Sequence, residues 1–180
     1  RCTNPDTLSF ITELLPSEDK VPLRNTIYTL SCVLLDRSDC DRKLAEKFKT
    51  EYGRTHNFVH KFAQVVLPEE FDLLGTVYQS FLTEGVKNST GSYYTERSVA
   101  QELLDSLEAK PGASFLDPCC GSGTFLILAQ EMGLKICGMD SDPIAVMIAK
   151  ANLILSGAKE YPDVRVIDFV NRWKSERRRF

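Results

Sequence analysis

Three short apolar runs in the second half of the chain, Ser114 to Leu116, Lys135 to Met139 and Val164 to Ile167, each end at an aspartate: Asp117, Asp140 and Asp168. A helix-length amphipathic segment follows each of the first two. Runs this short suit strands better than helices, and strands that alternate with helices return parallel to one another. The pattern therefore predicts an α/β fold, a parallel sheet with helices packed over it. The helix after the second strand is marked most clearly. Asp142 stands as its N-cap, Pro143 takes the first helical position, and Gly157 is placed to end it in a left-handed conformation. Before the first strand, a helix is expected from about Ser98 to Leu107. There Ser98 and Gln101 fit a capping box, and Val99, Leu103 and Leu107 form an apolar stripe.

Upstream the period is different. From Thr7 to Phe81 apolar residues recur at helical spacing, as in Ile27, Leu30 and Leu34, then Leu44 and Phe48, then Leu74, Val77, Tyr78 and Phe81. Pro16, Pro22 and Pro68 divide this stretch into helices, and the polar run Gly85 to Ser92 reads as a loop. The expected division is a helical N-terminal region over 1–88 and a ligand-binding α/β part over 89–180.

Composition narrows the function classes. No apolar stretch approaches the roughly 18 residues of a membrane-spanning helix, so no membrane role is expected. The net charge of -3 argues against holding nucleic acid by bulk electrostatics, so any DNA contact is expected to be local or supplied by a partner. The six cysteines include the adjacent Cys119 and Cys120, and the others show no paired spacing, which fits a reducing, cytoplasmic setting. His56 and His60 have no ligand-spaced partners, and no metal is expected. The first residues lack the blocks of a secretory signal and begin at Arg1 rather than methionine, so upstream residues are expected to have been removed.

In open α/β sheets ligands sit beyond the carboxyl ends of the strands, where the three aspartates fall. Between the first strand and its helix lies Gly121-Ser122-Gly123, where missing side chains let the backbone turn tightly and a ligand come close. A dinucleotide loop would carry G-x-G-x-x-G, but the third glycine position holds Leu126, and Asp117 would repel a pyrophosphate. A carboxylate there instead suits a ligand end bearing an ammonium group, as the methionine end of S-adenosylmethionine does. Asp140, about 20 residues beyond the turn, lies where such folds place the acid that accepts ribose hydroxyls.

With these residues in view, Asp117-Pro118-Cys119-Cys120-Gly121-Ser122-Gly123-Thr124-Phe125 resembles motif I of amino-group DNA methyltransferases, D-P-A-C-G-S-G-T-F, with Cys119 in place of alanine. Gly91-Ser92-Tyr93-Tyr94-Thr95 is similar to the family's motif X, G-x-Y-Y-T-P, with Glu96 in place of proline. Gly138-Met139-Asp140 resembles motif II, and the strand ending at Asp168 resembles motif III. The helix containing Leu74-Gly75-Thr76-Val77-Tyr78 looks like the region before motif X in modification subunits of type I restriction systems.

The resemblance implies the first half of a doubly wound, Rossmann-like, S-adenosylmethionine-dependent methyltransferase domain that acts on adenine N6 of DNA within a restriction-modification system. Tyr94, Thr95, Asp117, Pro118, Cys119, Gly121, Gly123, Thr124, Asp140, Ser141 and Asp168 would hold the cofactor. Asp168 would reach its adenine. DNA would be met through the intact protein or a specificity subunit. The family's N-P-P-Y catalytic motif occurs nowhere in these residues, so the chain reads as a fragment with no catalytic residues of its own.

Other readings stay open. The chain could serve RNA or protein methylation, or be a non-catalytic cofactor-binding or subunit-contact module. Asp168 could simply cap a helix, and for Asp142 that is the expectation. Tyr93, Cys119 and Cys120 read as packing residues, and the basic run Arg172 to Arg179 as a solvated tail.

Overall fold

In the computed structural model the strands β1 (Ser114–Asp117), β2 (Lys135–Asp140) and β3 (Val164–Val166) form one parallel sheet in the order β1-β2-β3. Leu116 pairs with Cys137, and Gly138 with both Asp117 and Val164. The structure describes residues 23–53, 72–82 and 95–177. Helices α1 (Leu23–Arg37), α2 (Arg42–Tyr52) and α3 (Leu73–Phe81) precede the sheet with α4 (Arg97–Asp105). Helices α5 (Thr124–Glu131) and α6 (Pro143–Leu155) make the two crossovers, and α7 (Phe169–Arg177) follows β3. Every strand lies within about one residue of its sequence expectation, inside the ordinary tolerance for element ends.

Helix α6 lies at the centre. Apart from the buried Lys150 and Asn152 it is apolar on all sides, as befits a helix covered on all sides. Val146, Ala149 and Leu153 pack towards the sheet with Leu126, Ile127 and Val164. Met147, Ile148, Ala151 and Ile154 join a second cluster with Ile27, Leu30 and Leu35 of α1, Phe48 of α2, and Leu74 and Val77 of α3. Residues on both sides of position 88 thus share one core. Asp142 caps α6 by accepting from the Ile144 N–H at 2.8 Å, Pro143 opens it, and Gly157 just beyond its end has φ +88°, all as the sequence suggests. Among the described residues no helix is long and apolar enough to cross a membrane.

Helix α4 departs from expectation in cap and in phase. It begins at Arg97 with Glu96 as N-cap, and no side chain caps it. Ser98 Oγ donates to Glu96 Oε1 and Gln101 Nε2 to Asp105 Oδ1, so the expected capping box does not form. The stripe is displaced by one residue: Ala100 and Leu104 are buried against Leu128, while Val99, Leu103 and Leu107 are 47%, 53% and 57% exposed. Small Ala100 lets α4 approach α5 closely, and that contact sets which face turns inward. The expected breaks at Pro16, Pro22 and Pro68, the Gly85 to Ser92 loop, and His56, His60, Tyr93 and Tyr94 lie outside the described residues.

Candidate functional site

Beyond β1 the chain makes a six-residue turn before α5, and backbone bonds fold that turn onto β2. The Cys120 N–H donates to Met139 O at 2.9 Å and the Gly123 N–H to Cys120 O at 2.8 Å. Two glycines make the close packing possible. Gly123 caps α5 at φ +93°, and a Cβ there would stand 3.2 Å from Ala149 Cβ. A Cβ on Gly138 would meet Leu126 Cδ1 at 2.5 Å, with Cys120 Sγ at 3.3 Å, so β2 needs a bare backbone where the turn lies on it.

The acids brace this turn. Asp140 Oδ2 accepts from the Gly121 N–H at 2.8 Å, and Oδ1 from the Asp142 N–H at 2.9 Å, which ties the loop after β1 to the loop after β2. Asp117 Oδ1 accepts from the Cys119 N–H at 3.1 Å. Each carboxylate oxygen has two lone pairs, so acceptor capacity is left over. Burial pushes the Asp117 carboxyl above its usual range; the Cys119 N–H opposes the shift, and the nearby charge of Asp140 adds to it. Burial also raises the Cys119 thiol, followed by the charges of Asp140, Asp117 and Asp168. The charges of Asp117 and Asp140 therefore bear on one another, and a cation placed beside Asp117 would offset that repulsion.

Thr95, Asp117, Cys119, Gly121 and Thr124 line one cavity of about 100 Å³ together with Cys120, Ser122 and Phe125. Thr95, from the start of α4, thus meets the β1 turn. Cys119 is exposed in this cavity and is not a packing residue as expected, because the turn directs it outward; Cys120 is buried against the sheet. Pro118 is partly buried in the turn, Gly123 is buried beneath it, and Asp140 braces it from β2. Ser141 is exposed at the start of the next loop. Asp168 is exposed, and both its oxygens accept from Asn171, one from the backbone N–H at 2.9 Å and one from the side-chain amide, so it caps α7. Tyr94 lies outside the described residues.

The cavity suits a zwitterionic end. Two of the turn's N–H groups are satisfied by carboxylates, leaving net negative charge where a phosphate cradle would show bare donors. The N-terminus of α5 carries no side-chain cap, and Thr124 and Phe125 of its first turn line the same cavity, so a carboxylate fits there beside an ammonium at Asp117. A cavity of about 100 Å³ accommodates one end of a nucleoside-sized ligand, since whole-ligand pockets run to roughly 300 Å³ or more.

Two residues behind the turn, Asp72 and Asn152, carry no expected role in the sequence reading, and both meet Ser122 of the turn. Asp72, the N-cap of α3, accepts on Oδ1 from the Gly75 N–H and from Asn152 Nδ2, both at 2.8 Å, and on Oδ2 from Ser122 Oγ. Asn152 Nδ2 also donates to Ser122 O at 3.0 Å. A signal for this cluster does exist in the sequence: Asn152 and Lys150 interrupt an otherwise apolar helix, and a buried polar group needs a partner.

Comparison with known proteins matches the N-6 DNA methylase family over residues 69–178. The type I restriction enzyme MjaIX methylase subunit of Methanocaldococcus jannaschii is 37% identical over 125 residues, which cover 61% of this chain and 22% of that protein. The ribosomal protein L11 methyltransferase of Burkholderia cenocepacia is 43% identical over 72 residues, 39% of this chain and 23% of that protein. The chain thus spans about a fifth of the length of these relatives. Among solved structures, the modification subunit assigned to a type I restriction enzyme of Vibrio vulnificus superposes with a TM-score of 0.50 at 22% identity, covering 74% of this chain and 33% of that one. At that identity the likeness speaks to the fold.

Proposed function

The chain belongs to the N-6 DNA methylase family, and from that premise we propose that it is the S-adenosylmethionine-binding part of a DNA methyltransferase directed to adenine N6. The observation that carries this reading is the glycine turn itself: Asp117 lines its cavity with acceptor capacity to spare, Asp140 braces it from β2, and the uncapped start of α5 opens beside them. S-adenosylmethionine supplies an electrophilic methyl group on a sulfonium. In this reading Asp117 holds the ammonium, the first N–H groups of α5 receive the carboxylate, and the spare lone pairs of Asp140 accept the ribose hydroxyls. Gly121 and Gly123 keep the backbone out of the ligand's way, while Pro118, Cys119, Thr124, Thr95 and Ser141 shape the edges; Tyr94 is proposed as a further cofactor residue on the motif resemblance alone. Asp168 would contribute through its charge and position, its oxygens being engaged at α7.

Calorimetric titration of the purified chain with S-adenosylmethionine tests this, with Asp140→Ala as the variant and NADH as the control ligand. Binding of S-adenosylmethionine that Asp140→Ala weakens, with no binding of NADH, supports the reading. A folded chain that binds NADH in preference would overturn it.

Several wider assignments rest on the same footing. We take residues 89–180 as the first half of a doubly wound methyltransferase domain, buttressed by the helices of 1–88. Further strands would add at an outer edge of the sheet, since the edges of β1 and β3 are both unpaired among the described residues, with Leu116 49% and Val166 53% exposed. The N-P-P-Y residues that would grip a flipped adenine belong to the rest of such a domain, so the chain alone is expected to bind cofactor without transferring methyl groups. The setting is a cytoplasmic restriction-modification system in which a specificity subunit or other domains present the DNA. One observation favours a second reading: the match to a ribosomal protein methyltransferase shows that a protein-directed enzyme shares this stretch. Methyl transfer by the intact protein to ribosomal protein rather than to DNA adenine would decide for it.

A further inference from the structure

The glycine turn is held from behind by a side-chain cluster that joins residues 50 and 80 positions apart in sequence. Ser122 is 1% exposed, and its two oxygen functions are both engaged there. Its hydroxyl donates to Asp72 Oδ2, and its carbonyl accepts from Asn152 Nδ2, whose amide also donates to Asp72 Oδ1. This fixes the peptide between Gly121 and Gly123, the part of the turn with the least intrinsic rigidity. One residue earlier, the Gly121 N–H points at Asp140 and joins the two strand-end loops.

Capping α3 does not by itself require this arrangement. An N-cap needs one acceptor, which serine or asparagine supplies as well as aspartate. Asp72 collects two further donors, and burial raises its carboxyl above the usual range. A partly buried carboxylate that costs desolvation and feeds bonds to a ligand loop has a use beyond the helix end. The other end of α3 does the same to the second loop. Tyr78 OH donates to Asp142 Oδ2 at 2.6 Å, and the Asp142 N–H in turn holds Asp140. One helix therefore braces both loops that carry the strand-end acids.

We propose that Asp72, acting through Ser122 and Asn152, is the positioning residue of the glycine turn, which makes α3 a working part of the cofactor site. The proposal rests on reading that turn as the cofactor loop. Asp72 touches no ligand; it acts by holding the peptide that a ligand meets.

Four proteins decide the matter: the unaltered chain, Asp72→Asn, Ser122→Ala and the double variant, which closes a cycle. S-adenosylmethionine affinity is read by calorimetry well below each melting temperature, and backbone hydrogen exchange is followed at Gly121, Ser122 and Gly123 without ligand. Each single variant is expected to weaken binding about tenfold, the scale of one hydrogen bond to a charged group, and the double variant no more than the weaker single. Exchange at the three turn amides is expected to rise about tenfold in both, with α1 and α2 unchanged. Unaltered affinity together with unaltered turn exchange in Ser122→Ala would overturn the proposal, whether or not Asp72→Asn folds. If the unaltered chain binds no S-adenosylmethionine, it is the cofactor reading that fails. The exchange data then decide alone: faster exchange confined to the turn upholds Asp72 as its positioning residue, and unchanged exchange rejects it.

Discussion

The carboxyl ends of β1 and β2 differ from that of β3, although all three lead to an aspartate. Asp117 and Asp140 each accept one N–H group from the long turn after β1, Asp140 takes a second from Asp142, and both keep lone pairs to spare. Asp168 stands directly before α7, and Asn171 takes both its oxygens. The cause is the distance to the next helix. Where the helix starts at once, its unpaired first-turn N–H groups claim the carboxylate; where residues intervene, six after Asp117 and two after Asp140, the carboxylate is left for the loop and for a ligand. Asp142, immediately before α6, obeys the same rule as Asp168, while Asp140, two residues earlier, escapes it.

The largest expected effect tests the loop-bracing acids. Asp140→Ala removes the acceptor that joins the two loops and the proposed partner of the ribose, so S-adenosylmethionine affinity should fall about a hundredfold, close to 3 kcal/mol. Calorimetry reads this directly, and a loss of threefold or less would erase the contrast with Asp168. Next comes Gly138→Ala, where the added methyl would stand 2.5 Å from Leu126 Cδ1 beneath the turn. Overpacking of that kind costs about 2 kcal/mol, and a denaturant titration should show it as a lower midpoint with an unchanged slope.

Asp117→Asn sharpens the comparison because its effects on binding and on stability have opposite signs. The folded carboxyl holds its proton more tightly than the unfolded one, chiefly through burial, with Asp140 adding to the shift. The folded state is therefore penalised as pH rises from the ordinary carboxylate range through the raised value, and the penalty stays at neutral pH. Asparagine removes it, so the neutral-pH melting temperature should rise in the free protein. Affinity for S-adenosylmethionine should meanwhile fall about tenfold, the scale of one charge-assisted contact. In the unaltered chain that affinity should itself decline as pH drops through the raised value. S-adenosylhomocysteine, which keeps the ammonium and lacks the sulfonium charge, should lose as much; a loss confined to S-adenosylmethionine would show that Asp117 faces the sulfur instead.

What was legible in the sequence was local. The three strands, the cap and stop of α6, and the tight turn at Gly121-Ser122-Gly123 all depend on residues within a few positions of one another. The phase of α4 was not legible, since Val99, Leu103 and Leu107 are as good an apolar stripe as Ala100 and Leu104, and only the approach to Leu128 selects between them. Nor was the pairing of Asp72, Ser122 and Asn152: Asn152 in an apolar helix signals that a partner exists, but nothing local names partners that make the pairing span 50 and 80 positions. Cys119 escaped for a related reason: adjacent cysteines look alike in sequence, and the turn sends one outward and the other against the sheet.

The smallest effect tests the other side of the comparison. Because Asp168 is engaged at α7, Asp168→Ala should cost about 1 kcal/mol of stability, as loss of an N-cap does, measurable as a fall in melting temperature. Its effect on S-adenosylmethionine affinity should be threefold or less, since its contribution to the site is a charge at some distance and exposed to solvent screening. Salt separates the two roles: the small affinity effect should fade at high ionic strength, whereas the cap's contribution persists through its hydrogen bonds to Asn171. If Asp168→Ala instead abolished binding, the carboxylate would have to leave Asn171 when ligand arrives. Helix α7 would then be a movable part of the site, and distance to the next helix would no longer predict which strand-end acid serves the ligand.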